Sequence, residues 1–338
     1  MLFGLQTLVG CYIRQFKEYE LAKIEVIREM NRIKTVVIGL GNMGRNHARV
    51  LQLMPSIELV GLVDGDAATL GKASEAFGCK GYGSIDELPD TPIDYAVVAV
   101  PNSAHKQATL DMFDRNCHVL VEKPIAPTIE DALSMIDKAK AVNRLLMVGH
   151  VERFNPAVIA AKQALGESAP ISINITRVGP FPPRMSDVGV VIDLAVHDID
   201  IIRTIAQSEL ASISAALASV KAAREDTALL QFKTENGVLA SINTNWITPF
   251  KLRQLQIATS SKFIVADLIT RQVSEYSEYK SDGSYTMKQL AVVSKEPLLA
   301  QHEASVTSIL SNGTGHVSGN DGLRNLQAAL DCLRNGGY

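Results

Sequence analysis

An aspartate and a histidine stand one helical turn apart in the otherwise apolar stretch VGVVIDLAVHDIDIIR, residues 188–203. The stretch is apolar almost all the way round, so as a helix it is predicted to be buried. Asp193, His197 and Asp200 then share one face. Charges on a buried helix are costly unless paired, and a carboxylate one turn from an imidazole can orient the ring. We therefore predict an acid–base couple of Asp193 and His197, in preference to a histidine that is simply satisfied in the core.

A lysine follows an apolar run in VEKPIAP, residues 121–127. If this run is a strand of a parallel sheet, Lys123 lies at its carboxyl end, where such sheets bind their ligands. Pro124 can hold a cis peptide bond that fixes the direction of the segment. Taken alone, Lys123 is better interpreted as a surface lysine in a loop. Beside the predicted Asp–His couple, it becomes a candidate catalytic residue.

Three glycines in the stretch VVIGLGNMGRNHARVL have the G-x-G-x-x-G spacing: Gly39, Gly41 and Gly44. The motif alone is weak evidence, but a β-branched run precedes it and helical spacing follows. Asp64 ends the next apolar run, 64 − 44 = 20 residues after the last glycine. In such a unit the helix N-terminus holds a pyrophosphate and the acid bonds a ribose hydroxyl. No arginine directly follows Asp64, so the predicted cofactor is NAD rather than NADP.

Short apolar runs and helical patterns alternate over the first part of the chain, which predicts a parallel sheet with right-handed crossovers. The strands are predicted at 33–39, 57–64, 93–100, 117–123 and 145–150. After residue 155 alternating amphipathic segments predominate, and Asn236-Gly237 is a hairpin signal. We predict an α/β dinucleotide-binding domain with a Rossmann fold over residues 30–150. An α+β domain with a large, mostly antiparallel sheet is predicted over residues 151–338, with two closing helices.

Composition excludes several classes of protein. The 338 residues carry a net charge of -3, which gives no reason to expect nucleic acid or an anionic membrane as partner. The four cysteines stand singly and predict a reducing, cytoplasmic location, and the histidines lack metal-ligand spacing, so no metal is predicted. The apolar start of the chain is too short to span a membrane. Residues 1–29 are predicted to be an N-terminal extension, helical or upstream of a true start at Met30.

Four motifs in this order resemble the Gfo/Idh/MocA oxidoreductase family over residues 31–337. They are GLGNMG, the PN-x-x-H of Pro101, Asn102 and His105, the EKP of 122–124, and the D-x-x-x-H of Asp193 and His197. The resemblance implies a Rossmann domain and an open-faced antiparallel sheet that commonly mediates oligomerisation, here a homodimer or homotetramer. It implies that Lys123, Asp193 and His197 surround the reacting carbon. The cofactor-binding set that we predict is Gly39, Gly41, Asn42, Met43, Gly44, Asp64, Pro101, Asn102, His105, Glu122 and Lys123.

Three further stretches look like the nucleotide-sugar branch of this family, which includes UDP-N-acetylglucosamine 3-dehydrogenases and uronic-acid relatives. They are GHVERFNPA, VGPFPPRMSDVGVVIDLAVHDID and NWITPFKLR. The resemblance implies that Arg153 and Asn155 face the sugar, while Arg184 suits a diphosphate because an arginine fork matches phosphate oxygens. The chain departs from the wider family at Gly189-Val190, where further glycines are common.

The resulting prediction is oxidation of a secondary alcohol of a nucleotide sugar by NAD, with Lys123 or His197 as the base. The best-fitting substrate is UDP-N-acetylglucosamine, oxidised at C3, and an aminotransferase could use the product for lipid A or surface polysaccharide. The alternatives are a UDP-uronic acid dehydrogenase and a dehydrogenase of inositol or another free polyol. A non-catalytic NAD-sensing protein is disfavoured, because a sensor has no need of an acid–base set.

Overall fold

Six parallel strands form the first sheet of the computed structural model, which describes residues 32–182, 188–311 and 313–338. The predicted extension at residues 1–29 and the predicted phosphate ligand Arg184 lie outside the described residues. The strand order is β3-β2-β1-β4-β5-β6, so the order reverses between β1 and β4. The strands are β1 (Ile33–Ile38), β2 (Ile57–Val63), β3 (Gly81–Tyr82), β4 (Tyr95–Val98), β5 (His118–Glu122) and β6 (Leu146–Gly149).

Helices connect the strands of this sheet and cover both of its faces. They are α1 (Asn42–Gln52), α2 (Ala67–Phe77), α3 (His105–Asp114) and α4 (Ile129–Ala141). Every residue of β4 is buried, as the continuous apolar run YAVV predicts for a strand covered on both sides. Two clusters of buried apolar side chains, one on each side of the sheet, form its core.

Eight strands form the second sheet, in the order β14-β13-β12-β11-β7-β10-β9-β8. Only the β7–β10 pair is parallel among the neighbours described, and the others are antiparallel. The predicted hairpin is present, with Gly237 at φ +89° between β9 and β10. The strands are β7 (Ser172–Val178), β8 (Leu210–Ala218), β9 (Thr227–Thr234), β10 (Leu239–Asn245), β11 (Leu252–Ala258), β12 (Lys262–Asp267), β13 (Gln272–Ser277) and β14 (Thr286–Leu290).

One face of the second sheet is buried and the other is exposed. In β9 buried residues alternate with exposed ones, because successive side chains of a strand point to opposite faces. Helices α5 (Pro156–Leu165) and α6 (Val196–Ala206) contribute apolar side chains to the core on the buried face. The predicted fold class, an α/β domain with a Rossmann sheet and an α+β domain with an open-faced sheet, is confirmed.

Two helices end the chain, α7 (Pro297–Leu310) and α8 (Gly319–Asn335). Leu298 and Val306 of α7 pack in a core cluster of the first sheet. Leu326 of α8 joins the other cluster of that sheet, while Ala329 of the same helix packs in the core of the second. Helix α8 therefore touches both halves of the molecule. Within the described ranges, no helix has the length and apolar character that crossing a membrane requires.

Candidate active site

The glycine-rich turn leads from β1 into α1 as its spacing predicts. Gly39 has φ +86°, a conformation that favours glycine, and a Cβ on Gly44 would lie 1.7 Å from the carbonyl oxygen of Gly39. A Cβ on Gly41 would meet nothing within 4 Å, so this position faces open space. No acidic side chain occupies the first turn of α1 and no side chain caps it. Its first N–H groups are thus available to an anion at the positive end of the helix.

Asp64 lies beside this turn, directly after β2. Its Oδ2 accepts a hydrogen bond from the backbone N–H of Leu40 at 2.7 Å, and its Oδ1 accepts from the N–H of Asp66 at 2.8 Å. Each carboxylate oxygen retains acceptor capacity after these bonds. The fixed carboxylate would therefore be suited to accept the ribose hydroxyls of NAD, and the turn at Gly41 would hold its pyrophosphate.

The segment after β4 presents Pro101 and Asn102 at the same edge of the sheet. Asn102 starts a short 3₁₀ helix, Asn102–Ala104, and its side-chain oxygen is buried without a hydrogen-bond partner among the described residues. A buried acceptor without a partner is costly, so this oxygen is suited to a ligand donor. Asn42 and Met43, also predicted to contact the cofactor, are exposed in the first turn of α1.

Lys123 and Asp193 meet across the boundary between the two sheets. The Lys123 ammonium donates to the carbonyl oxygen of Asp193 at 2.7 Å and to its Oδ1 at 3.1 Å. The lysine side chain is 17% exposed and the aspartate side chain 39% exposed. The Lys123-Pro124 peptide bond is cis, as the sequence suggested. An ammonium group has three hydrogens, so two bonds to Asp193 leave one free for a substrate oxygen.

His197 lies in the first turn of α6, close enough to Lys123 for their charges to interact. Burial, and then the nearby positive charges of Lys123 and Arg177, hold the pKa of His197 well below its usual range. Its Nδ1 is buried and has no hydrogen-bond partner among the described residues. The imidazole of His197 is therefore neutral at neutral pH.

The predicted Asp193–His197 couple is wrong in one respect. The carboxylate of Asp193 is bound to Lys123, and no hydrogen bond joins it to His197 in the described part of the chain. The physical reason is that Val191–Ala195 forms a π-helical turn ahead of α6. In a π-helical turn the backbone hydrogen bond joins residue i to residue i+5. The side chains of residues four apart therefore no longer lie one above the other as they do in an α-helix. Asp193 therefore holds Lys123 and does not orient the imidazole.

Glu122 and His105 were predicted to contact the cofactor, but the structure gives both an internal role. His105 is buried, and its two ring nitrogens face the carbonyl oxygens of Pro124 at 2.9 Å and Val100 at 3.0 Å. The ring thus ties together the segments that follow β4 and β5. Glu122 is buried with its Oε1 2.9 Å from Nε2 of His47. The polar atoms of both side chains are therefore used in contacts within the protein.

Arg153 and Asn155 also differ from the prediction that they face the sugar. The guanidinium of Arg153 forms a two-pronged ion pair with Asp200 and donates to the carbonyl of His316 at 2.9 Å. Asn155 is buried, caps α5 through the N–H of Ala157, and donates to the carbonyl of Leu268 at 3.0 Å. Their hydrogen-bonding groups are committed to the fold, so the structure supports no sugar contact for either.

Sequence reasoning did not single out two residues near Lys123 and His197. Arg253 of β11 donates through Nη1 to Glu152 at 3.1 Å, and no partner for its other guanidinium nitrogens is found among the described residues. The charge of Asp193 acts on Arg253, and the charge of Arg253 helps to lower the pKa of His197, which places Arg253 at the same centre. His150 follows β6, and its ring is perpendicular to that of His197 with centroids 6.3 Å apart. The motif stretches GHVERFNPA and NWITPFKLR contained both residues without distinguishing them from their neighbours.

Two family models match this chain. The model of the oxidoreductase family with an NAD-binding Rossmann fold, GFO_IDH_MocA, matches residues 33–150. The model of the GFO/IDH/MocA C-terminal domain matches residues 159–264. Together they cover the first sheet, the second sheet from β7 into β12, and the segments that carry Gly41, Lys123 and His197. The chain belongs to the Gfo/Idh/MocA oxidoreductase family.

Individual relatives span nearly the whole chain. UDP-N-acetylglucosamine 3-dehydrogenase of Acidithiobacillus ferrooxidans is 26% identical over 305 residues, covering 89% of this chain and 96% of that protein. A solved structure of the same enzyme covers 90% of this chain and 98% of its own, with a TM-score of 0.84 at 25% identity. Myo-inositol 2-dehydrogenase of Thermotoga maritima is 25% identical over 303 residues, covering 85% of this chain and 91% of that protein.

This oxidoreductase has an NAD-binding Rossmann domain, and its relatives are named as dehydrogenases of sugars and polyols. The predictions of an enzyme that acts on CH–OH groups and of NAD as its cofactor are confirmed. The turn at Gly41 and the carboxylate of Asp64 fit the cofactor, as their geometry showed. When NAD is bound there, its nicotinamide supplies the hydride acceptor.

Proposed function

We propose that this enzyme oxidises a secondary alcohol of a nucleotide sugar to a ketone, with UDP-N-acetylglucosamine oxidised at C3 as the best candidate. The observation that carries the proposal is the meeting of Lys123, Asp193 and the neutral His197 at the carboxyl edge of the Rossmann sheet. The similarity to UDP-N-acetylglucosamine 3-dehydrogenase over 89% of the chain supports the choice of substrate.

His197, Lys123 and Asp193 each have a separate role in the oxidation of a CH–OH group. The neutral imidazole of His197 takes the hydroxyl proton, because no described residue holds its Nδ1 in a hydrogen bond. The Lys123 ammonium uses its third hydrogen to stabilise the developing alkoxide. Asp193 fixes the direction of that ammonium through two contacts. We thus propose His197 as the base, a choice that the sequence left open between Lys123 and His197.

Arg253 is the described residue best suited to an anionic part of the substrate. Its side chain is 33% exposed and only one of its guanidinium nitrogens is used within the described structure. An arginine fork with two free nitrogens matches the oxygens of a diphosphate. We propose that Arg253 and Arg184 together bind the UDP diphosphate.

The test compares UDP-N-acetylglucosamine, a UDP-uronic acid, free N-acetylglucosamine and myo-inositol as substrates, following the absorbance of the reduced cofactor. The proposal requires that the UDP-sugars have the highest kcat/KM. Arg253→Met and Arg184→Ala should each raise KM for the best UDP-sugar by about 10-fold to 100-fold and leave KM for a free sugar nearly unchanged. An increase of this size corresponds to the loss of one charge-assisted hydrogen bond. Equal losses on both kinds of substrate would contradict a diphosphate contact.

A dehydrogenase of inositol or another free polyol is the second candidate, favoured by the likeness to myo-inositol 2-dehydrogenase over 85% of the chain. A kcat/KM for myo-inositol above that for every UDP-sugar would establish it.

For the first candidate we further propose a cytoplasmic homo-oligomer whose keto product goes to an aminotransferase of lipid A or surface polysaccharide synthesis. Light scattering of the purified protein tests the homodimer or homotetramer.

A further inference from the structure

A chain of four buried polar side chains ends directly beneath Lys123. The Tyr95 hydroxyl is 3.1 Å from Nδ1 of His302, and Nε2 of His302 is 2.8 Å from Nδ1 of His47. Nε2 of His47 is 2.9 Å from Oε1 of Glu122. The other oxygen of Glu122 accepts from the backbone N–H of Lys123 at 3.3 Å. The chain thus connects α7, α1 and β4 to the end of β5, where the lysine emerges.

Glu122 has little freedom to leave this position. A Cβ on Gly149 of the neighbouring strand β6 would lie 2.6 Å from Oε1 of Glu122 and 3.1 Å from its Cα. The carboxylate therefore fills the space that a larger residue at position 149 would take. Burial acts to raise the pKa of Glu122, but the hydrogen bond and charge of His47 and the charge of Lys123 lower it below its usual range. An ionised, enclosed carboxylate is the result.

The hydrogens along the chain can be arranged in two ways, and both depend on His302. If His47 is neutral, His302 donates to its Nδ1 and Tyr95 donates to His302. If His47 is protonated, it donates to His302, which donates in turn to Tyr95. In either arrangement Nε2 of His47 carries a hydrogen to Glu122, because an ionised carboxylate only accepts. His302 is needed in both, since without it Nδ1 of His47 would be buried with no partner.

The chain is enclosed by the protein, since Tyr95, His302 and His47 are each fully buried in the described structure. Each hydrogen bond fixes the position of the next side chain, so the role that the geometry indicates is positional. We propose that His47 and His302 are positioning residues for the oxidation: they hold Glu122 fixed beneath the Lys123 peptide, so that the ammonium stays at Asp193. This inference rests on the proposed function of Lys123.

The experiment compares His302→Leu with His302→Gln. Glutamine carries one acceptor and two donors and can restore both contacts of His302, whereas leucine can restore neither. His302→Leu should lower kcat by roughly tenfold, the effect of leaving a buried polar group unpaired, and His302→Gln should recover most of the loss. The dissociation constant for NAD should stay within about twofold in both, since Asp64 and Gly41 are untouched. Equal kcat in the two variants would overturn the inference.

A second readout needs no substrate. The rate at which an N-hydroxysuccinimide acetate reagent modifies Lys123 is measured by peptide mass spectrometry, with Lys106 of the same molecule as internal reference. Release of the Lys123 segment in His302→Leu should raise this rate several-fold, and His118→Leu, which removes a histidine outside the chain, should leave it unchanged. Gly149→Ala displaces Glu122 directly and should raise the rate as well if His302→Leu does not fold. An unchanged Lys123 rate in the folded variant would overturn the inference.

The two readouts also separate failure of the inference from failure of the proposed function. Lys123→Met serves as the reference for this purpose. If Lys123→Met turns over normally, the proposed role of Lys123 is wrong, whatever the labelling shows. If Lys123→Met is inactive but His302→Leu matches the wild type in kcat and labelling, the role of Lys123 stands and the positioning chain is refuted.

Discussion

Replacing Lys123 with methionine should lower kcat by about 10² to 10³, the loss observed when one donor to a developing oxyanion is removed. Methionine keeps much of the length and apolar stem of lysine and removes the charge and the hydrogens. The Lys123 ammonium makes two contacts with Asp193 and has one hydrogen left for the substrate oxygen. The variant thus removes one stabilising donor from the transition state.

The magnitude can be worked from the environment of the ammonium. With the side chain 17% exposed, its surroundings are intermediate between water and a dry interior. At an effective dielectric constant of about 20, opposite unit charges 4 Å apart attract by about 4 kcal/mol. A transition-state alkoxide carries part of a charge, which gives about 3–4 kcal/mol and agrees with the rate factor above. The released carboxylate of Asp193 is 39% exposed, so water replaces its lost partner at little cost.

The assay follows reduction of NAD with the best substrate of the panel and measures NAD affinity separately by calorimetry. The control is Lys106→Met, because Lys106 forms a comparable ion pair with Asp131 at 2.8 Å and is 40% exposed on α3. The control should retain kcat within about twofold, as expected of an exposed pair. Near-normal turnover in Lys123→Met would refute the reasoning. So would an equal loss in the control, because the effect would then be general.

Three further predictions concern the cofactor, the ammonium and acid stability. Asp64→Ser should weaken NAD binding by about tenfold and reduce the preference for NAD over NADP. Asp66→Ala, which removes the cap of α2, should leave NAD binding unchanged. An equal loss of NAD affinity in both variants would exclude a contact between Asp64 and the ribose. Asp193→Asn should lower kcat with little change in NAD affinity, and unchanged kcat would remove Asp193 from the site. Burial lowers the pKa of His150 and His197, so the unfolded chain binds more protons and the free energy of unfolding should fall as pH drops below about 6.5. Urea unfolding between about pH 5 and 8 measures this, and a flat profile would contradict it.

The Rossmann half was predictable because its signals are local. Five of the six parallel strands are short apolar runs and were predicted, whereas the two-residue β3 was not. The distance from Gly44 to Asp64 follows from the length of one helix and one strand. The edge strands β8 and β14 were not predicted individually. Every residue of these two strands is exposed or partly exposed, which weakens any hydrophobic pattern.

The site was predictable only in part, because its residues come together over long sequence distances. Lys123 and Asp193 are 70 positions apart, and no local pattern places them in contact. The resemblance named both residues but could not show that the π-helical turn would direct Asp193 to Lys123. His302 lies 255 positions from His47, and an ordinary amphipathic helix surrounds it. Such a partner can be found only from the three-dimensional structure.

The packing of α7 and α8 limits how far this enzyme can be divided into exchangeable parts. A segment that ends at residue 150 holds all six strands of the Rossmann sheet but lacks Leu298, Val306 and Leu326 of its core. Such a fragment would expose apolar surface and is expected to aggregate. A chimaera that takes its cofactor domain from a relative would have to transplant the two C-terminal helices with it. The part of the chain that packs as the cofactor domain is therefore discontinuous in sequence, although the glycine motif within it is continuous.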